Sequence, residues 1–140
     1  MAIPKARFGG IDVITRDMAA SLAFYRELGL DFPEDKVYAE EGTPHHIDVH
    51  FDAGGSFDID SEALTQRFDP RWPGGGGVVV SLRTDSRDDV DALHDHMVGL
   101  GHPSHLAPFD AFWGARFAIL VDPDGNLVSL MSPMDAAGTA

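Results

Sequence analysis

The 140-residue chain reads as an α+β protein. Its expected architecture is two tandem βαβββ modules whose strands form a curled mixed sheet around a cavity, with the helices on the outer face. Three observations predict this. Along the chain the order strand, helix, strand, strand, strand occurs twice. Small landmarks recur in matching elements: Ala20 and Gly29 return as Ala92 and Gly101 at an offset of 72, and the Asp52–Ser56 turn returns as Asp122–Asn126 at an offset of 70. Landmarks repeating in the same order are what an internal duplication leaves behind. Finally, the stretch Phe112–Met131 places a Pro-Asp-Gly turn between two alternating apolar runs, which is a hairpin signal.

Taken in order, Phe8 to Thr15 is β-branched and alternating and gives a first strand. Asp17 stands where a helix N-cap belongs. Met18, Leu22, Tyr25 and Leu28 follow at helical spacing, and Gly29 ends the helix. Three strands are expected next, a poor one at Asp31–Glu40, a better one at His46–Asp52, and one at Ser56–Asp60. Leu64 to Gly77 holds Pro70, Pro73 and four successive glycines, shows no periodicity, and reads as a linker. Beyond it, Val78–Arg83 is a strand and Ser86-Arg-Asp-Asp89 resembles a capping box. Val90, Leu93, Met97 and Leu100 form the second helical stripe, and Gly101 stops it. A short strand near Pro103–Ala107 precedes the hairpin, where Pro123 sets φ, Gly125 supplies a positive φ and Asp122 caps its own backbone. The modules therefore span residues 1–62 and 78–133 of one domain, with a Pro/Gly-rich linker at 63–77 and a flexible tail at 134–140.

A single helix per module covers one face of each sheet, so strand alternation sorts side chains into a helix-facing set and an open set. Ile47, Val49, Phe51, Phe57 and Ile59 fall on the first module's helix face, leaving His46, Asp48, His50, Asp58 and Asp60 on the other. In the second module Val78, Val80, Leu82, Val128 and Leu130 face the helix, and Leu127, Ser129 and Met131 the open side. Two sheets curling toward each other would wall one cavity with His46, Asp48, His50, Asp58, Asp60 and Asp12 from the first module. The second would add Ser129, Met131, Phe109, Phe112 and Trp113, giving a mouth acidic on one side and aromatic on the other.

Composition narrows the function. A formal charge of −13 repels phosphate backbones and anionic membranes, so neither nucleic acid nor membrane is an expected partner. No apolar run approaches the ~20 residues of a bilayer span, the N-terminus lacks a secretory signal's apolar core, and there is no cysteine, which together point to the cytoplasm.

Asp17-Met-Ala-Ala-Ser-Leu-Ala-Phe-Tyr-Arg-Glu-Leu-Gly-Leu30 and Asp122-Pro-Asp-Gly-Asn126 resemble, in order and spacing, the vicinal oxygen chelate superfamily of glyoxalases, bleomycin-resistance proteins and extradiol dioxygenases. The similarity runs from about Arg7 to Pro133. Pro108-Phe-Asp-Ala-Phe-Trp-Gly-Ala-Arg116 further resembles a glyoxalase-like subgroup. Metal enzymes of the superfamily carry a His, Gln or Glu near the start of each module's first strand and a Glu near the end of each last strand. Here the resemblance sets Gly10, then Gly77 or Val78, and Ser129 at three of these places. The fourth falls at Asp58 or Asp60, although the turn alignment would put Ile59 there.

Reactive zinc, iron or manganese needs about three protein ligands, so no metal, no cofactor and no catalytic residue are expected. The lost ligand set, the Phe112-Trp113 pair and the convergent acids point instead to a metal-free protein that holds a bulky aromatic, cationic compound, and the resemblance adds that bleomycin-resistance members sequester without turnover, as homodimers. His46, Asp48, His50, Asp58, Asp60, Phe109, Phe112, Trp113, Ser129 and Met131 are its candidate ligand-binding residues. The alternative is a glyoxalase- or dioxygenase-like metalloenzyme with relocated ligands at His46, His50 and Asp60; a further one makes His46 and His50 acid-base groups without a metal. Gly74–Gly77 precedes a strand and reads as a hinge. Trp72 has a cavity cover, a dimer contact or a surface role open to it. His94 and His96 are expected in solvent, and Arg116 is expected to meet either a pocket acid or an anionic ligand group.

Overall fold

The computed structural model describes residues 2–28 and 30–135, so Gly29 and the tail residues 136–140 lie outside the described residues. The α+β class holds, with mixed parallel and antiparallel strand pairing. The chain divides into two compact units, one of Gly10–Val79 and one combining residues 2–9 with 80–135. Strands β1 (Arg7–Thr15) and β5 (Gly77–Arg83) each begin in one unit and end in the other. Among the described residues no helix is long and apolar enough to cross a membrane.

In the Gly10–Val79 unit the strand order is β2-β3-β4-β1, with β2 at Tyr38–Glu40, β3 at Thr43–His50 and β4 at Ser56–Ser61. β1 runs parallel to β4, while β3 is antiparallel to both β2 and β4. Helix α1 (Met18–Glu27) starts at Asp17, whose carboxylate accepts from Ala20 N. Its Met18 and Leu22 bury against Ile47, Ile59 and Phe32, with Tyr25 and Phe57 alongside. Each fully buried Ile of this cluster contributes roughly 1.5–3 kcal/mol through removal from water. Leu28, expected in the stripe, is exposed because it caps the helix beyond its last packed turn.

The segment read as an aperiodic linker opens with a helix instead, α2 (Glu62–Phe68). Ser61 caps it by accepting from Leu64 N, and Leu64 and Thr65 are buried. Seven residues are too few for a hydrophobic period to show. Trp72 closes the segment on itself by donating from Nε1 to Gly75 O at 2.9 Å.

The other unit has the order β5-β8-β7-β6, with β6 at Ser104–Asp110, β7 at Arg116–Val121 and β8 at Leu127–Met131. β5 is parallel to β8, and β7 is antiparallel to β8 and β6. Helix α3 (Arg87–Gly99) is capped by Ser86, whose hydroxyl accepts from Asp89 N as the capping-box reading requires. It packs on β6, β7 and β8, so Leu82 and Leu130 join Val90 in the core, while Val78 and Val80, expected beneath the helix, are exposed. His94, expected in solvent, is buried and shares a 2.7 Å hydrogen bond with Ser104 Oγ.

The duplication is written into backbone chemistry. Thr15 Oγ1 donates to Asp17 O and Thr84 Oγ1 donates to Ser86 O, each tying a strand end to the following N-cap. Because α3 has 13 residues against 10 in α1, the helix ends keep the 72-residue offset while the caps do not. Three tight turns also share one pattern. Phe51, Ala111 and Asp122 each donate N–H to the carbonyl four residues on and accept from a glycine three residues on, Gly54, Gly114 and Gly125, all at positive φ. These are type I turns closed by a glycine bulge. The turn at Ala111 corrects the reading of Phe112 and Trp113 as strand residues: they occupy its two central positions, and β7 begins only at Arg116.

Candidate functional site

On the open face of the first unit, β1, β4 and β3 lay out a carboxylate and histidine cluster. The register sets Asp12 beside Asp58 and Ile14 beside Asp60 on the parallel side, and His46 beside Asp60 and Asp48 beside Asp58 on the antiparallel side. His46 Nδ1 donates to Asp60 Oδ1 at 2.5 Å, and its Nε2 lies 3.5 Å from Asp48 Oδ1. His50 Nε2 donates to the other oxygen of Asp48 at 2.6 Å. Five of the six residues expected on this wall are therefore in one connected network or register row, and the sixth, His50, joins at its exposed end through Asp48.

Electrostatics differ sharply within the cluster. Burial works against a charge on His46, but hydrogen bonds to Asp48 and Asp60 and the carboxylates of Asp60 and Asp58 overcome it and raise its pKa to about 10. The hydrogen bond from His46 holds Asp48 down at about 2, helped by His50 and opposed by partial burial. Asp12 goes the other way: burial first, then the charges of Asp58 and Asp60, push its pKa well above the usual carboxylate range. Asp58 is raised too, by burial foremost, with His46 opposing and Asp60 and Asp48 adding to the rise. At neutral pH the network therefore holds an imidazolium between two carboxylates, next to an acid pair that resists full ionisation. Asp58 Oδ1 is buried and has no hydrogen-bond partner among the described residues.

The open face of the second unit is differently made. Direct cross-strand partners form one row of Arg83, Met131, Phe117 and Phe109, and a second row begins with Ser81, Ser129 and Ile119. Trp113 donates from Nε1 to Met131 Sδ at 3.2 Å and meets Phe117 edge to face at 5.0 Å, with the exposed Phe112 against it at 5.1 Å. Phe109 lies 5.9 Å from Phe117. Sequence reasoning collected Phe109, Phe112, Trp113, Ser129 and Met131 but missed Ser81 and Arg83. The alternation that put Val80 and Leu82 toward the helix carried that information. Arg116 is absorbed by structure, gripping Asp91 through Nε at 3.0 Å and Nη2 at 3.3 Å and Asp110 through Nη1.

The registers also test the metal positions implied by the resemblance. Gly54 and Gly125 occupy the same turn position, which sets the true offset of the hairpins at 71 and equates Ser129 with Asp58, not with Ile59. Asp12 then corresponds to Ser81, and Gly10 to Val79 in place of Gly77 or Val78. A Cβ on Gly10 would fall 2.2 Å from Ser56 O, Val79 is a buried hydrocarbon, and Ser129 is a buried hydroxyl. With Asp58 the one carboxylate of the four, these residues do not fit a divalent-metal centre of the superfamily's kind. Of the relocated candidates, His46 and Asp60 meet through a hydrogen bond but His50 turns to Asp48, and among the described residues no group of three or more His, Asp or Glu is placed to hold an ion.

Comparison with known proteins agrees with the fold. No curated protein matches the chain. An NAD-dependent benzaldehyde dehydrogenase structure from Legionella pneumophila aligns at a TM-score of 0.62 and 17% identity, over 89% of this chain and 99% of that one. The Y257F variant of homoprotocatechuate 2,3-dioxygenase from B. fuscum aligns at 0.64 and 17% identity, over 95% of this chain and 34% of that one. The homoprotocatechuate 2,3-dioxygenase of Arthrobacter globiformis aligns at 0.63 and 16% identity, over 96% and 38%. At such identities the likeness is one of fold, and the chain spans only about a third of either dioxygenase. A profile of the Glyoxalase/Bleomycin resistance protein/Dioxygenase superfamily matches residues 7–130, and with most of its length matched the chain belongs to that superfamily.

Proposed function

We propose that the protein binds a small, bulky aromatic compound bearing a cationic amine and holds it without chemical conversion, as a metal-free member of the bleomycin-resistance kind. One observation carries this reading: Asp58 Oδ1 is a buried carboxylate oxygen with no hydrogen-bond partner among the described residues, beside Asp12 and on the open face of its sheet. Such an oxygen costs about 1–3 kcal/mol until a donor reaches it, and a ligand ammonium would relieve both that cost and the crowding of carboxylates. Within the other unit, taken by itself, Phe112 and Trp113 present aromatic edges and faces, the kind of surface on which a flat apolar ligand rests. The substitutions at Gly10, Val79 and Ser129 favour binding over the superfamily's metal chemistry. The same reading has the chain acting in the cytoplasm as a homodimer, and its charge of −13 disfavours nucleic acid and anionic membranes as partners.

Calorimetric titration with 2-naphthylmethylammonium and with a cationic bithiazole antibiotic tests it. Saturable binding is expected, weakened at least tenfold in Asp58→Asn, with the ligand recovered intact by chromatography. Absence of heat up to millimolar ligand, or recovery of a converted product, would sink the reading.

A further inference from the structure

The second unit's open face carries a cation that no carboxylate among the described residues neutralises. Arg83 is half-buried and makes no hydrogen bond or ion pair among the described residues, in a chain with 23 acids against 10 bases. Arg7, Arg67, Arg87 and Arg116, in contrast, each pair with an Asp or Glu. Its stem is laid down by a glycine: a Cβ on Gly9 would fall 2.7 Å from Arg83 Cγ and 2.9 Å from its Nε. Gly9 is thus the cradle that lets the guanidinium lie along the sheet.

A second, independent feature lies two residues away on the same face. Ser81 is 9% exposed, and its Oγ is buried with no hydrogen-bond partner among the described residues. A buried hydroxyl without a partner is uncommon, because leaving it so costs about as much as losing a hydrogen bond. Ser129 sits directly across from it and Met131 directly across from Arg83, with Trp113 and Phe117 against Met131.

We propose that Arg83 and Ser81 form an anion subsite, which takes the carboxylate of an arene whose ring lies on Met131, Trp113 and Phe117. A guanidinium's planar fork matches a carboxylate with two parallel hydrogen bonds, and the Ser81 hydroxyl supplies a further donor. Polar groups thus stand on β5 and aromatic groups on β7 and the Ala111 turn, with Met131 of β8 between them. This inference rests on the reading that the protein holds a small aromatic compound, and adds that the compound carries an anionic group.

The test follows the Trp113 indole N–H by NMR, assigned through Trp113→Phe, during titration with 2-naphthoate and with the neutral 2-naphthylmethanol. Wild type is expected to hold naphthoate at least tenfold tighter than the alcohol. Arg83→Met should abolish that preference and leave the alcohol's affinity within about twofold, Arg83→Lys should keep part of it, and Ser81→Ala should weaken naphthoate several-fold. Equal affinity of wild type for the two probes would overturn the subsite, as would a loss in Arg83→Met shared equally between them. The naphthylmethylammonium titration above separates the two readings: if that cation binds, and depends on Asp58 but not Arg83, while naphthoate fails, only the anion subsite falls.

Discussion

Asp12 and Asp58 are direct partners across the parallel strands β1 and β4, two carboxylates set side by side on a partly buried face with Asp60 one step further along. At the equivalent pair in the other unit stand Ser81 and Ser129. The duplicated scaffold thus holds the same two backbone positions with acids in one unit and neutral hydroxyls in the other. Adjacent acids of this kind each make the other harder to ionise and so lower the stability of the fold.

Asp12→Asn should stabilise the free protein at neutral pH. Burial and the charges of Asp58 and Asp60 raise the folded pKa of Asp12, so the native state retains a proton that the unfolded chain has released. Stability accordingly falls as pH rises from the ordinary aspartate range through that raised value. The amide removes this slope and, at pH 7, is expected to gain about 1 kcal/mol, the low end for relieving a buried charge. Urea melts at pH 4, 5.5 and 7 check it. A variant that loses stability at pH 7 would mean that Asp12 is held as a useful anion.

His46→Gln should act in the other direction and over a different window. The folded pKa of about 10 lies above the usual 6.5, so the stability contributed by the imidazolium is fully present below pH 6.5 and is lost as pH climbs through 10. With a third of the side chain exposed, the contribution is discounted to about 2 kcal/mol. Wild type should therefore lose stability between pH 7 and 10 by about that amount more than the variant does. Parallel pH profiles of the two would reject the ion pair as a source of stability.

Much of this site was legible because strand alternation is a local property. Once His46, Asp48, Asp58 and Asp60 are placed on strands, period two puts them on one face whatever else the chain does, and Asp122 with Gly125 dictates its turn in five residues. The register between strands was harder. An offset of 70 in place of 71 moved Ile59 into the position that hydrogen bonding gives to Asp58, since one residue of slip exchanges the faces. Helix α2 gave no periodic signal in its seven residues, and the Ala111 turn was hidden because aromatic residues at its centre mimic a strand. Ser81 and Arg83 sat in plain view on either side of Leu82. Their significance lies in lacking partners among the described residues, which only three-dimensional contacts reveal.

Gly10 and Gly125 should respond to alanine for different physical reasons. Gly10 has no positive φ, yet an added Cβ would meet Ser56 O at 2.2 Å and Ser56 Oγ at 2.6 Å, so β1 and β4 must separate. Overpacking against backbone costs about 1–3 kcal/mol and often more, and Gly10→Ala is expected at or above the top of that range. Gly125 has nothing within 4 Å of the added carbon, but its φ of 92° penalises any L side chain, for a loss of about 1–2 kcal/mol. Urea melts of the two variants rank the effects, with the larger loss at Gly10. Were Gly10→Ala to cost under about 0.5 kcal/mol, β1 would have room to shift. The glycine would then no longer bar a ligating side chain from that strand, and the case against the superfamily's metal centre would weaken with it.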